Sequence, residues 1–334
     1  MLIWKTEARA VKRILSVILA AVMLLCTFSF AASAEGKSVE LGSYPQSRVT
    51  AEKTLSRLNS LALNWIPYGY YSGSGSVGSA QSGDYMKFAD VTLDGEKYRA
   101  VCFEQYRPML THKSHSAKTY QDDNGYYTNT VYWFKYEPLK WRVLSSAEGL
   151  MMCESIIDSQ PFNNTVYKIG GNYYNDKNGK AYAHDYAEST LRKWLNSDFY
   201  NTAFSSSEKA RLSARECEMQ YFPRSKPHGE MKVTDKVFML SRIEATDSRY
   251  GFKSSMYAAD TARRGKGTDY ARCQGLHVCE IGFGHLGNSC WWLRAPGFFS
   301  RRVNKIFYDG YCAVDSYYMV ELTDIGVRPC IVLK

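Results

Sequence analysis

No block of consecutive lysines and arginines occurs in the 334 residues, so the footprint that tracks nucleic-acid phosphates is missing. Nucleic acid is therefore excluded as a partner. No G-x-S-x-G or H-E-x-x-H is present among sparse histidines, six in all, which excludes a nucleophile-elbow hydrolase and a helical zinc protease. Self-similarity at a fixed period is absent too, which removes solenoids and propellers.

Long apolar runs are also scarce, and the one that stands out fixes the compartment. Lys5, Arg9, Lys12 and Arg13 precede an apolar run from Ile14 to Phe30, and Ala32-Ser33-Ala34 supplies the small-x-small pattern of a signal-peptidase site. Residues 1–34 read as a secretory signal; if uncleaved, the run is close to the ~18 residues of a spanning helix, and the membrane is touched only there. The signal carries a net +3 of the formal +9, so the mature chain keeps a mild, dispersed +6.

Residues 35–334 are enough for one large domain or two modest ones with a real core. Tyrosine dominates the aromatics, with 26 copies, and its rigid ring with a polar tip suits both half-buried sheets and recognition surfaces. Eight cysteines follow the signal, and an even count in an exported chain permits disulfides without fixing their pairing. Cys273, His277, Cys279, His285 and Cys290 crowd together at spacings that match no standard zinc site. The acidic turns Asp122-Asp123-Asn124 and Asn175 to Gly179 lack the ligand alternation of a calcium loop. No metal and no cofactor is expected. His184, beside Asp185, reads as a capping or surface residue rather than a base.

Along the chain, Val39 to Val49 reads as a strand stopped by Pro45, and Leu55, Leu58, Leu61 and Leu63 stand near helical spacing. The formal G-x-G-x-x-G at Gly73, Gly75 and Gly78 sits in a Gly/Ser-rich loop with no apolar helix after it, so a flexible loop is expected there. Asp94-Gly95 between two strand-like runs signals a hairpin, and Val131 to Ser146 alternates towards a partner strand in Gly149 to Ile156. Leu191, Trp194, Leu195 and Phe199 share one helical face, and Ser205 with Glu208 has capping-box spacing. Lys236 to Ser241 reads as a central apolar strand. Strands and helices do not alternate regularly, so the fold class is α+β.

The blocks LGSYPQS, WRVL, STLRKWLN, DKVFMLS, WWLRAPG and GVRP, in this order, resemble an uncharacterised family of secreted bacterial proteins. That family is related to the C-type-lectin-like fold of formylglycine-generating (sulfatase-modifying) enzymes and of retroelement variable proteins. The resemblance implies one C-type-lectin-like domain over 35–334, with two or three helices, paired N- and C-terminal strands, and a Gly/Ser- and Tyr-rich insertion around 65–130. It places Trp291, Trp292, Arg294, Gly326, Arg328 and Pro329 in the framework and frames an exposed segment, 298–324. Glu137-Pro138 is followed by Leu139 and Trp194 by Leu195, which departs from the calcium-dependent sugar-binding motifs. Cys312 and Cys330 are too far apart for the reactive pair of the formylglycine-generating enzymes.

The expected function is that of an exported, non-enzymatic module, a monomer, binding an extracellular protein or glycan. Its candidate contact residues are Phe298, Phe299, Arg301, Arg302, Asn304, Tyr308, Tyr311, Asp315, Tyr317 and Tyr318, because aromatics and arginines carry much of the energy of recognition surfaces. The alternatives are an oxidase of the formylglycine-generating type and a structural cell-surface component.

Overall fold

The computed structural model describes residues 36–68, 86–111, 120–220, 231–282, 284–313 and 318–334. The signal segment, the glycine motif at Gly73 to Gly78, and Asp315 and Tyr317 lie outside the described residues. The elements before the two-tryptophan stretch include β1 (Ser38–Arg48), α1 (Glu52–Asn59), β2 (Met86–Leu93), β3 (Glu96–Phe103), β4 (Tyr132–Ser145), β5 (Leu150–Cys153), β6 (Asp158–Ser159), β7 (Tyr167–Ile169), β8 (Asn172–Tyr174) and α2 (Thr190–Trp194). After them come β9 (Trp291–Pro296), β10 (Val303–Ile306), β11 (Gly326–Val327) and β12 (Cys330–Leu333).

The class is α+β, built on two sheets. The larger runs Leu212–Ser213, β12, β5, β4, β3, β2, Ile66–Pro67, with β1 on β4 and Val237–Phe238 on β12. The smaller runs Cys312–Ala313, β10, β9, β11, β6. Asp94 and Gly95 both adopt positive φ (53° and 82°), the mirror-image turn that matches strand twist, so β2 and β3 close as a hairpin. This hairpin lies within the stretch expected to be an insertion, yet it is hydrogen-bonded into the large sheet.

The first and last strands do not pair. β1 pairs with β4, whereas β12 pairs with β5, so β4 and β5 stand between them. The cause is the length of β4, whose 14 residues pair β3 through its first half, β5 through its second, and β1 over most of its course. Pro45 does not stop β1 either: it faces Tyr136, and the missing N–H is absorbed by a register shift before Arg48. The expected central strand at Lys236 to Ser241 shrinks to Val237–Phe238, with Met239 and Leu240 continuing as buried irregular chain.

The helical face Leu191, Trp194, Leu195 and Phe199 is buried as spaced, although one π-helical turn, Leu195–Phe199, interrupts it. Ser205 accepts from the Glu208 N–H and the Glu208 carboxylate accepts from the Ser205 N–H, which completes the capping box of the next helix. With Tyr120–Asp123 and Asp269–Cys273, the helical segments exceed the two or three expected. Trp133, Trp141, Trp291 and Trp292 are almost wholly buried; truncating any one to alanine costs about 3–5 kcal/mol. Glu35–Lys334 forms one compact unit.

Candidate ligand-binding face

The frame of the face is set by side chains that turn inward. Trp291 donates its ring N–H to the Arg263 carbonyl (3.0 Å), and Trp292 donates to that of Gln160 (2.9 Å). Buried Arg294 donates to the carbonyls of Glu218 and Met239 and pairs with Glu244 at 2.6 Å. Arg328 donates to the carbonyls of Cys153, Arg263 and Arg264 with no carboxylate among these partners, and burial pushes it down to about 10. Gly326 packs where a Cβ would meet Ile156 at 2.3 Å, and the carbonyl of buried Pro329 accepts from the Cys153 N–H. These contacts fix β9 and β11 against the rest of the molecule.

Residues 297–302 form a tight turn where β9 gives way to β10. Gly297 N–H donates to the Arg302 carbonyl (2.7 Å) and Arg302 N–H to that of Phe299 (2.9 Å). A side chain at position 297 would strike the Arg302 carbonyl at 2.8 Å, so the turn needs glycine there. The β7–β8 hairpin and the chain after it clasp the turn: Tyr173 N–H donates to the Ser300 hydroxyl, and His184 N–H to the Ser300 carbonyl.

His184 is neither a cap nor a surface residue. It is buried, and its Nδ1–H donates to the Phe299 carbonyl at 2.8 Å, so it is a second clasp on the turn. Burial pushes its pKa down to about 4, which keeps the ring neutral at pH 7. The sequence carried no signal for this role, because the partner is a main-chain carbonyl 115 positions away.

The candidate contact residues divide between the two ends of β10. At the first end, Phe299 is 52% exposed, the Arg302 guanidinium lies 4.4 Å over its ring, and Phe298 meets it edge to face at 5.1 Å. Arg301 reaches 4.7 Å over Tyr173 and is ion-paired with Glu321, whose side chain is wholly buried. At the second end, Tyr311 packs on Phe307 (5.7 Å), near exposed Tyr257, and Tyr308 packs on His285. Tyr318 covers the Lys305 ammonium, 3.0 Å from its ring centre.

Asn304 belongs to neither end. It is 1% exposed and its amide donates to the Pro296 carbonyl, in a strand whose two faces are both buried. Arg301 is likewise committed, as the counter-charge of a buried carboxylate.

Two grooves open elsewhere among the described residues. Tyr167, Asn175 and Asp176 of the clasping hairpin and the turn after it line a polar groove of about 320 Å³, closed by Lys180, Glu188 and Thr190. A wider groove of about 680 Å³ runs along β1 and β4 between Glu40, Glu96, Glu137, Glu154, Lys135 and Lys140. Among the described residues no group of three or more His, Cys, Asp and Glu side chains could hold a metal ion, and the turn at Asp176 spends its carboxylate on the N–H groups of Asn178, Lys180 and Ala181.

The eight cysteines are buried, and no disulfide joins them in this structure. Burial pushes Cys312 up to about 11 and Cys153 and Cys217 up to about 12, which favours the neutral thiol.

A two-sheet α+β chain with an inward-turned frame and an outward arginine–aromatic turn is thus defined. Residues 150–334, more than half the chain and inclusive of every element of frame and face, match the family described as Domain of unknown function (DUF6273), and the chain belongs to that family. No curated protein and no solved structure matches it.

Proposed function

We propose that the chain is an exported, non-enzymatic binding module of C-type-lectin-like fold, holding an extracellular protein or glycan on the face formed by residues 298–302 and the β7–β8 hairpin. The observation that carries this reading is the Phe299–Arg302 pair. A large ring left half exposed, capped by a guanidinium and mounted on a turn tied by two backbone hydrogen bonds, is a contact element already held in its bound shape. Such preorganisation lowers the entropy cost of binding, and aromatic and arginine anchors supply about 2 kcal/mol or more each. The polar groove lined in part by the β7–β8 hairpin offers amide, carboxylate and ammonium groups for a hydroxyl-rich or peptide ligand.

An oxidase of the formylglycine-generating type requires a thiolate open to substrate, and the eight thiols are buried. The lectin-like reading draws support from the two arginine elements, WWLRAPG and GVRP, which are fastened inward while the segment between them reaches the surface.

The test is a glycan array together with pull-down from cell-surface proteins, using the chain and its Phe299→Ala/Arg302→Ala double variant. Capture by the native chain and its loss in the double variant is the expected result. Capture that survives the double change removes the assignment of the face, and no capture by either chain favours a structural surface component.

A further inference from the structure

A third cavity, of about 330 Å³, opens between the start of β1, the second half of β4 and the short helical turn Ser248–Tyr250. Gly36, Arg142, Arg249, Tyr250 and Gly251 are among the residues that line it. Gly36 and Gly251 both have a φ of 78°, and a Cβ added at either would meet no atom within 4 Å, so these backbone walls leave the space clear. The volume lies at the lower end of the range for small-ligand sites.

The cavity carries a positive charge with no counter-ion of its own. Arg142 donates from Nη1 to the Ala262 carbonyl (2.9 Å) and lies 5.1 Å from the Phe252 ring centre. It forms no ion pair among the described residues, and its Nη2 has no hydrogen-bond partner there. Arg328 donates to the next two carbonyls along the chain, those of Arg263 and Arg264, so two guanidiniums meet at the C-terminal end of the turn Thr261–Arg263. Asp260, the buried carboxylate that begins this turn, is already engaged: it accepts from the Ala262 and Lys253 N–H groups and pairs with Arg263 at 3.5 Å. One carboxylate thus stands against three guanidiniums. Burial pushes Arg142 below its ordinary value, because neighbouring carbonyls only partly offset the lost hydration of a group that keeps its charge.

The acids near the rim are committed as well. Asp247 accepts from the Arg249 guanidinium at 2.6 Å and from its main-chain N–H at 2.9 Å. Glu148 accepts from the Tyr250 hydroxyl at 2.9 Å and pairs with Arg215 at 3.3 Å. The Arg249 side chain is 77% exposed, and an exposed ion pair of this kind is weak enough to open for a ligand.

We propose that this cavity is an anion site, in which Arg142 from within and Arg249 from the rim hold the phosphate or carboxylate group of a small ligand. A guanidinium fork matches either oxyanion through two parallel hydrogen bonds, and the incoming negative charge offsets the desolvated cation. The site shares no residue with the face at 298–302 and does not depend on it.

The experiment titrates the full chain calorimetrically with sodium phosphate and, separately, with sodium acetate, at an ionic strength held constant with sodium chloride. Saturable one-to-one binding of at least one anion is expected; tighter phosphate assigns a phosphorylated ligand, and acetate of equal or greater affinity assigns a carboxylate. Arg142→Gln should weaken binding by about 10-fold or more, the loss of a charge-assisted hydrogen bond. Two rim variants act in opposite directions. Arg249→Gln weakens binding by about 3-fold, whereas Asp247→Asn, which retains the oxygen that caps the turn but releases Arg249, tightens it by about 3-fold. Simple screening by salt would not produce that reversal. Absence of saturable binding by either anion overturns the proposal, as does native affinity in a folded Arg142→Gln chain. If Arg142→Gln does not fold, the rim variants decide, and an affinity unchanged in both overturns the site.

Discussion

The two ends of β10 carry the same chemical elements, cations and aromatic rings, in opposite arrangements. At the first end the ring of Phe299 is outside with Arg302 laid upon it. At the second, Lys305 is inside and the rings of Phe307 and Tyr318 are laid upon the cation. The difference follows from the cations. A guanidinium is weakly hydrated, keeps its charge and stacks flat on a ring at the surface, whereas a buried ammonium is pushed towards neutrality. One end therefore presents its cation–aromatic pair towards solvent and the other buries it.

The sharpest division within the first end lies between adjacent arginines. Arg301→Ala leaves the Glu321 carboxylate buried without its counter-charge and is expected to destabilise the fold by about 3–5 kcal/mol, read as a lowered urea midpoint. Arg302→Ala removes a cap from an exposed ring and should leave the midpoint within about 0.5 kcal/mol. Equal losses in the two variants would mean that the two arginines do the same job.

Next in size is a pH effect on the clasp. His184 has a folded pKa near 4 against 6.5 ordinarily, so between those values the unfolded chain binds the extra proton. The stability it contributes is complete above pH 6.5 and is lost as pH falls through this window, by on the order of 3 kcal/mol. Asp158 acts in the opposite sense. Burial pushes it up to about 6 against the hydrogen bonds it accepts from Tyr44 and Ser159, so the cost of its charge is relieved as pH falls. The clean measurement is therefore the difference in midpoint between the native chain and His184→Asn, which retains a donor for the Phe299 carbonyl, from pH 7 to pH 4. A difference independent of pH would show that His184 titrates normally.

What the sequence disclosed depends on the range of the interaction. The Asp94-Gly95 hairpin, the Ser205–Glu208 box and the buried stripe from Leu191 to Phe199 rest on neighbours a few residues apart, and all three are found. Pro45 within β1, the two-residue strand at Val237 and the partner choice of β1 depend on register with distant strands, which a single sequence does not encode locally. Site residues divide in the same way. The aromatic and arginine content of 298–302 was visible, but Arg301's commitment to Glu321, the inward turn of Asn304 and the clasp by His184 arise from long-range contacts. Aromatic identity marked both ends of β10 alike; only burial distinguishes them.

A third prediction separates contact from support. Phe299→Ala should cost about 2 kcal/mol of binding free energy, roughly a 30-fold weaker Kd, while shifting stability within about 0.5 kcal/mol because half the ring already faces water. Isothermal titration beside thermal denaturation reads both quantities, and a loss of stability without a loss of affinity would return Phe299 to the frame.

The smallest effect tests the cap itself. Arg302→Lys keeps the charge but replaces a flat, weakly hydrated guanidinium lying 4.4 Å over the Phe299 ring with a compact ammonium that prefers water. If the stack holds the ring in its binding orientation, the substitution forfeits about 0.5–1 kcal/mol of the cation–π interaction and lengthens the ring's list of accessible rotamers. The signature is a modest rise in Kd carried by a faster off-rate, with an unchanged salt dependence because the net charge is conserved. If Arg302 instead acts on a ligand anion through charge alone, lysine substitutes without loss, and the exposed end of β10 is an electrostatic patch rather than a stacked platform.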